Sequence, residues 1–136
     1  MLKLENITVL FDDLKAVDHV NMEFMEGKIT GIIGTNGSGK STLMKVMTKL
    51  LKPQEGSVSL DNQVIQDKKK ALFAYRQEVN MVFQNPEQQL FYTIAKDDIG
   101  MALENLGYPE EECEKRVQEA IELMDIKELQ DRPVQY

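Results

Sequence analysis

The sequence predicts an α/β domain, and two observations carry the prediction. Stretches with the two-residue period of strands alternate along the 136 residues with stretches of helical period. A run that is apolar on both faces, Ile29-Thr30-Gly31-Ile32-Ile33, passes through a glycine-rich loop straight into a helical stripe. Apolarity on both faces is the mark of a strand inside a parallel sheet.

Residues 2–11 (LKLENITVLF) are rich in β-formers, and Val20, Met22 and Phe24 alternate with Asn21 and Glu23, so both segments read as strands. Glu26-Gly27-Lys28 reads as a turn before the strand at 29–33. From Lys40, the residues Leu43, Val46, Met47, Leu50 and Leu51 form one stripe of a helix that Pro53 stops. Val58 and Leu60 suggest a short strand that turns at Asp61-Asn62 into an antiparallel partner at 63–66. A helix near 69–77 and a strand near 79–83 follow. Two helices complete the order, one from about Ile94 to Leu106 with Thr93 as N-cap and one from about Glu110 to Asp125 with Pro109 in its first turn. Cys113, Val117, Ala120, Ile121 and Met124 form the stripe of the second, and Glu110, Glu111 and Glu112 suit the positive end of its dipole.

Composition narrows the chemistry. One cysteine and one histidine, Cys113 and His19, exclude disulfide and zinc scaffolds built within the chain, and no run is apolar and long enough to span a membrane. The start MLKLENITV lacks a secretory pattern, which predicts a cytosolic chain. The net charge of −7 is uneven: residues 1–70 balance to +1 and residues 71–136 to −8. An acidic second half is a poor match for a nucleic-acid surface, so no nucleic-acid partner is predicted. The near-neutral first half can still hold a phosphate locally.

Gly34-Thr35-Asn36-Gly37-Ser38-Gly39-Lys40-Ser41 fits G-x-x-x-x-G-K-[ST]. In that pattern glycines let successive backbone N–H groups turn toward phosphate oxygens, the lysine reaches the β- and γ-phosphates, and the serine hydroxyl ligates Mg²⁺. The helix that begins here directs its positive end at the same anion. A nucleoside triphosphate with Mg²⁺ is the ligand these residues predict.

The longer string through Thr42 resembles the Walker A loop of ABC ATPases. Phe11, 29 positions before Lys40, matches the aromatic that stacks on adenine in that family; alone it reads as a strand-end core residue. Val82-Phe83-Gln84-Asn85-Pro86 resembles the Q-loop, in which Gln84 would touch Mg²⁺ and the attacking water; alone Gln84 is an unremarkable strand-end residue. The stretch from Phe83 to Thr93, then Asp97-Asp98-Ile99, Leu103 to Gly107 and Arg132-Pro133, is similar to the ATPases of energy-coupling-factor importers, most of all to cobalt-transport ATP-binding subunits.

The resemblance implies a P-loop NTPase fold of the ABC ATPase kind, present in part. Residues 1–92 would be a nucleotide-binding core with an antiparallel β-subdomain and a RecA-like P-loop strand and helix, and 93–136 the start of an α-helical subdomain. Lys40 and Gln84 would be catalytic. Phe11 and Gly34, Thr35, Asn36, Gly37, Ser38, Gly39, Lys40, Ser41 and Thr42 would bind the nucleotide, with Ser41 and Gln84 on Mg²⁺. The implied partners are a second ATPase subunit and an integral membrane subunit met near Gln84–Phe91, at the cytoplasmic face of the membrane. Cobalt, nickel or a vitamin would be the cargo.

In the family the L-S-G-G-Q signature, the Walker B strand, the catalytic glutamate and a switch histidine follow Arg132-Pro133, beyond these residues. His19, in a strand ahead of the loop, reads as structural. The expectations are weak nucleotide binding without turnover, and exposed apolar sheet surface that favours association. A soluble ABC ATPase of DNA repair or translation shares the same loop, and a small-molecule P-loop kinase is the third reading. Arg76, Arg116 and Arg132 are too scattered for a kinase lid.

Overall fold

The computed structural model describes residues 1–135, and these fall into two compact units, the first Met1–Met81 and the second from Val82 onward. The first holds strands β1 (Leu2–Phe11), β2 (Leu14–Phe24), β3 (Glu55–Leu60) and β4 (Gln63–Val64), with helices α1 (Lys40–Met47) and α2 (Lys69–Glu78). The strands form one antiparallel sheet in the order β2-β1-β3-β4. Both long strands are kinked, with register shifts between Leu4 and Leu10 and left-handed backbone at Asn6 and His19. The Asn6 amide donates to Asn21 Oδ1 (2.8 Å) and the His19 amide to Thr8 Oγ1 (3.1 Å), so side chains replace the ladder where it breaks.

Leu4, Ile7, Val9, Val17 and Val58 of the sheet, Leu43 and Val46 of α1 and Tyr75 of α2 make the core. Full burial of each aliphatic side chain contributes roughly 1.5–3 kcal/mol. Met44, whose helical spacing suggests a core residue, is instead exposed.

Several predicted elements are revised. Residues 29–33 belong to no ladder, and Ile29 and Ile33 are almost wholly exposed. A strand exists only by pairing, and no described segment pairs with this one; the sheet that forms is antiparallel, not parallel. The strand at 79–83 is absent for the same reason, and Val79 instead closes α2 through its N–H to Tyr75 O (3.0 Å). Helix α1 stops at Met47, ahead of Leu50 and Pro53. Lys49 turns left-handed (φ 58°), and the Lys49 and Leu50 amides bond back to Val46 O and Lys45 O (both 2.9 Å). The strand foreseen at 63–66 keeps two residues.

The second unit contains α3 (Ala95–Asn105), α4 (Glu110–Leu123) and short 3₁₀ turns at Pro86–Gln89 and Lys127–Leu129. Gly100 of α3 is buried against Val117 of α4, and Cys113, Val117 and Ile121 form the buried stripe; Met124 lies past the helix end and is exposed. Thr93 is not the N-cap of α3. Ile94 takes that position, and the chain's last residues cap the helix: the Ala95 and Lys96 amides donate to Arg132 O (3.2 Å) and Gln130 O (2.9 Å). The Val134 amide in turn donates to Thr93 O (2.9 Å). Backbone carbonyls thus do what the Thr93 hydroxyl was expected to do.

Candidate functional site

The glycine-rich loop leads into α1, and β2 shapes it. Gly39 has φ +91°, and a Cβ there would lie 2.2 Å from Ala16 O of β2, so this position takes only glycine. The Ser38 amide donates to Thr35 O (3.2 Å), a tight turn that curls the loop. The first helical bond is Leu43 N–H to Gly39 O (2.9 Å), so the Lys40, Ser41 and Thr42 amides precede the helical ladder and are available at its positive end. Ser41 is exposed beside them.

Lys40 folds back over the loop. Its Nζ donates to Gly34 O (2.8 Å), Thr35 O (2.7 Å) and Ser38 Oγ (3.2 Å), which sets one positive charge within the turn. A cavity of 270 Å³ borders the loop, lined by Gly34, Ser38, Gly39 and Lys40 together with Ala16, Val17 and Asp18 of β2. The His19 ring and the Lys15 ammonium beside Asp18 hold its carboxyl below the usual carboxylate range. His19 of β2 also approaches Glu55 of β3 (3.5 Å).

The donor set suits a polyphosphate with its cation: backbone amides and one ammonium for the anion, and a hydroxyl for the metal. The structure therefore brings together Gly34 to Thr42. Phe11 stands at the end of β1, 48% exposed beside the bend of the β1–β2 hairpin. Gln84 is exposed at the start of the second unit, just ahead of the Pro86–Gln89 turn. Sequence reasoning passed over Ala16, Val17 and Asp18, because their place beside the loop follows from the closeness of two backbones and leaves no local pattern.

The family model described as ABC transporter matches residues 17–136. This chain belongs to that family. Two named relatives sharpen the likeness. The cobalt import ATP-binding protein CbiO of Salmonella paratyphi A is 40% identical over 135 residues, which are 99% of this chain and 50% of that protein. The energy-coupling factor transporter ATP-binding protein EcfA1 of Mycoplasmopsis synoviae is 36% identical over 139 residues, 100% of this chain and 52% of that protein. Among solved structures, that of cbiO1 from Clostridium perfringens, part of the ABC transporter complex cbiONQ, superposes with a TM-score of 0.85 at 35% identity. It covers 97% of this chain and 53% of that one. The fold is that of an ABC ATPase, and the chain spans about half the length of the curated relatives it matches.

Proposed function

We propose that this chain supplies the nucleotide-binding part of an importer ATPase of the energy-coupling-factor type, in which ATP drives a membrane subunit to take up cobalt, a related metal ion or a vitamin. The observation that carries this reading is the loop at Gly34–Thr42: one ammonium held within a glycine turn, with the first amides of α1 beside it. In this reading those amides and Lys40 would hold the β- and γ-phosphates and Ser41 would ligate Mg²⁺, while Gln84 is assigned to the metal by its resemblance to the Q-loop alone. The metal supplies charge neutralisation on the phosphates. Phe11 stacks on the base, for which its exposed position at the end of β1 is suited.

Residues 1–92 then form the nucleotide-binding core and 93–136 the start of the helical subdomain. In this reading turnover calls for a second ATPase subunit and for the segment that follows Arg132-Pro133 in the family. Exposed Val82, Leu90 and Phe91, flanking or within Gln84–Phe91, suit contact with an integral membrane subunit at the cytoplasmic face. No described helix is long and apolar enough to cross a membrane by itself.

Calorimetric titration of the chain with ATP·Mg²⁺ tests the site. Lys40→Ala should weaken binding at least about a hundredfold, because a charge-assisted contact to phosphate is lost. Equal affinity in parent and variant would overturn the assignment. Co-purification with a membrane subunit, and cobalt uptake that depends on it, tests the transport reading.

A further inference from the structure

The strand that carries Phe11 is held by a side chain from elsewhere in the first unit. The β1–β3 ladder ends where Thr8 pairs with Glu55, and the Gln54 amide adds one more bond to Thr8 O (2.9 Å). Beyond that point β3 has no backbone left to offer, although β1 runs on to Phe11. The Gln54 side chain fills the gap. Leu10 N–H donates to Gln54 Oε1 (2.9 Å), and Gln54 Nε2 donates to Leu10 O (3.1 Å). A carboxamide offers one acceptor and donors in one plane, as a peptide group does, so it stands in for the next residue of the missing strand.

The position of this clamp matters. The register between β1 and β2 shifts between Val9 and Leu10, so the last pairs, Leu10 with Lys15 and Phe11 with Leu14, are set off from the regular ladder. Asp12, next in the chain, turns left-handed in the hairpin bend. Phe11 thus sits between an irregular ladder and a turn, and Gln54 is what holds the residue before it on the open side.

We infer that Gln54 is a positioning residue for nucleotide binding: by pairing with both backbone groups of Leu10 it fixes the Phe11 ring in the place where a nucleobase stacks. The inference rests on the stacking role of Phe11 proposed above. It makes Gln54 selective for the base. Orienting an aromatic face acts on the ring of ATP and leaves untouched the contacts of the loop to phosphate.

The test uses the whole chain and two probes, ATP·Mg²⁺ and inorganic tripolyphosphate·Mg²⁺. Gln54→Ala should weaken ATP about tenfold and leave tripolyphosphate unchanged, since loss of a paired carboxamide frees the hairpin end and not the phosphate loop. Gln54→Glu, which keeps the acceptor and removes the donor, should fall between. In a Phe11→Ala background, Gln54→Ala should add no further loss. The chain contains no tryptophan, so Phe11→Trp gives a single tryptophan, excited apart from the four tyrosines, whose quenching by ATP reports stacking directly and should diminish when Gln54→Ala is added. Equal losses for both probes, an additive loss in the Phe11→Ala background, or no loss at all would overturn the inference. If Phe11→Ala weakens ATP and Gln54→Ala does not, the positioning role alone falls. If Phe11→Ala binds ATP as the parent does, the stacking reading falls and the positioning role with it.

Discussion

At the level of single residues, Tyr75 joins two helices through one atom. Its hydroxyl donates to Met47 O at the end of α1, and the neighbouring Arg76 donates from Nη2 to Lys49 O (2.9 Å), so α2 satisfies carbonyls that α1 leaves open. Burial pushes the Tyr75 phenol from its ordinary value of 10 up to about 12. Between those values the unfolded chain has lost the proton and the folded chain keeps it, so the contribution is intact below pH 10 and is lost as pH rises toward about 12. Urea unfolding against pH should therefore show stability falling over that window, and the fall should flatten in Tyr75→Phe. The same variant should cost about 1 kcal/mol at neutral pH through the lost hydrogen bond. Residues of this kind were illegible in the sequence: a tyrosine on a helical stripe says nothing of which carbonyl it meets. The place of Lys40 within the loop was legible, because the glycines within six positions of it set the turn it folds over.

Among elements, three helices end in one way. Helix α1 closes at Lys49, α3 at Gly107 and α4 at Asp125, each left-handed (φ 58°, 79° and 54°). In each, the next residue's amide bonds five positions back: Leu50 to Lys45 O, Tyr108 to Leu103 O and Ile126 to Ile121 O. Gly107 was legible as a stop between two helices, since glycine adopts this geometry without strain. The other two were not, and α1 and α4 were read as longer than they are. Lys49 brings compensation, with its ammonium 2.6 Å from Asp67 and its side chain 6% exposed, and this ion pair holds the Asp67 carboxyl below its usual range. Asp125 places a negative charge at the negative end of α4 in a conformation that disfavours side chains. Asp125→Gly should raise stability by about 0.5–1 kcal/mol, read as a higher urea midpoint with an unchanged slope.

For the whole chain, the hydrophobic run at 29–33 shows both the strength and the limit of reading patterns. Its apolarity was legible, and so was its place before the phosphate loop. Its pairing was not, because a ladder depends on neighbours and the described residues contain none for it. The exposed Ile29 and Ile33 should make the chain self-associate at micromolar concentration, and Ile29→Lys with Ile33→Lys should move the sedimentation profile toward monomer. Reduced association without loss of ATP binding would place the contact at this run; an unchanged profile would refute it. The sheet order β2-β1-β3-β4 also has a kinetic meaning. The β1–β2 hairpin closes over a two-residue bend and can form in microseconds, whereas β3 reaches β1 only after the loop and α1 have been laid down between them. The phosphate loop is thus tethered at both ends inside the slowest closure of the first unit. Nucleotide added during refolding should leave the fast hairpin phase alone and act on the later step, chiefly by slowing its reversal.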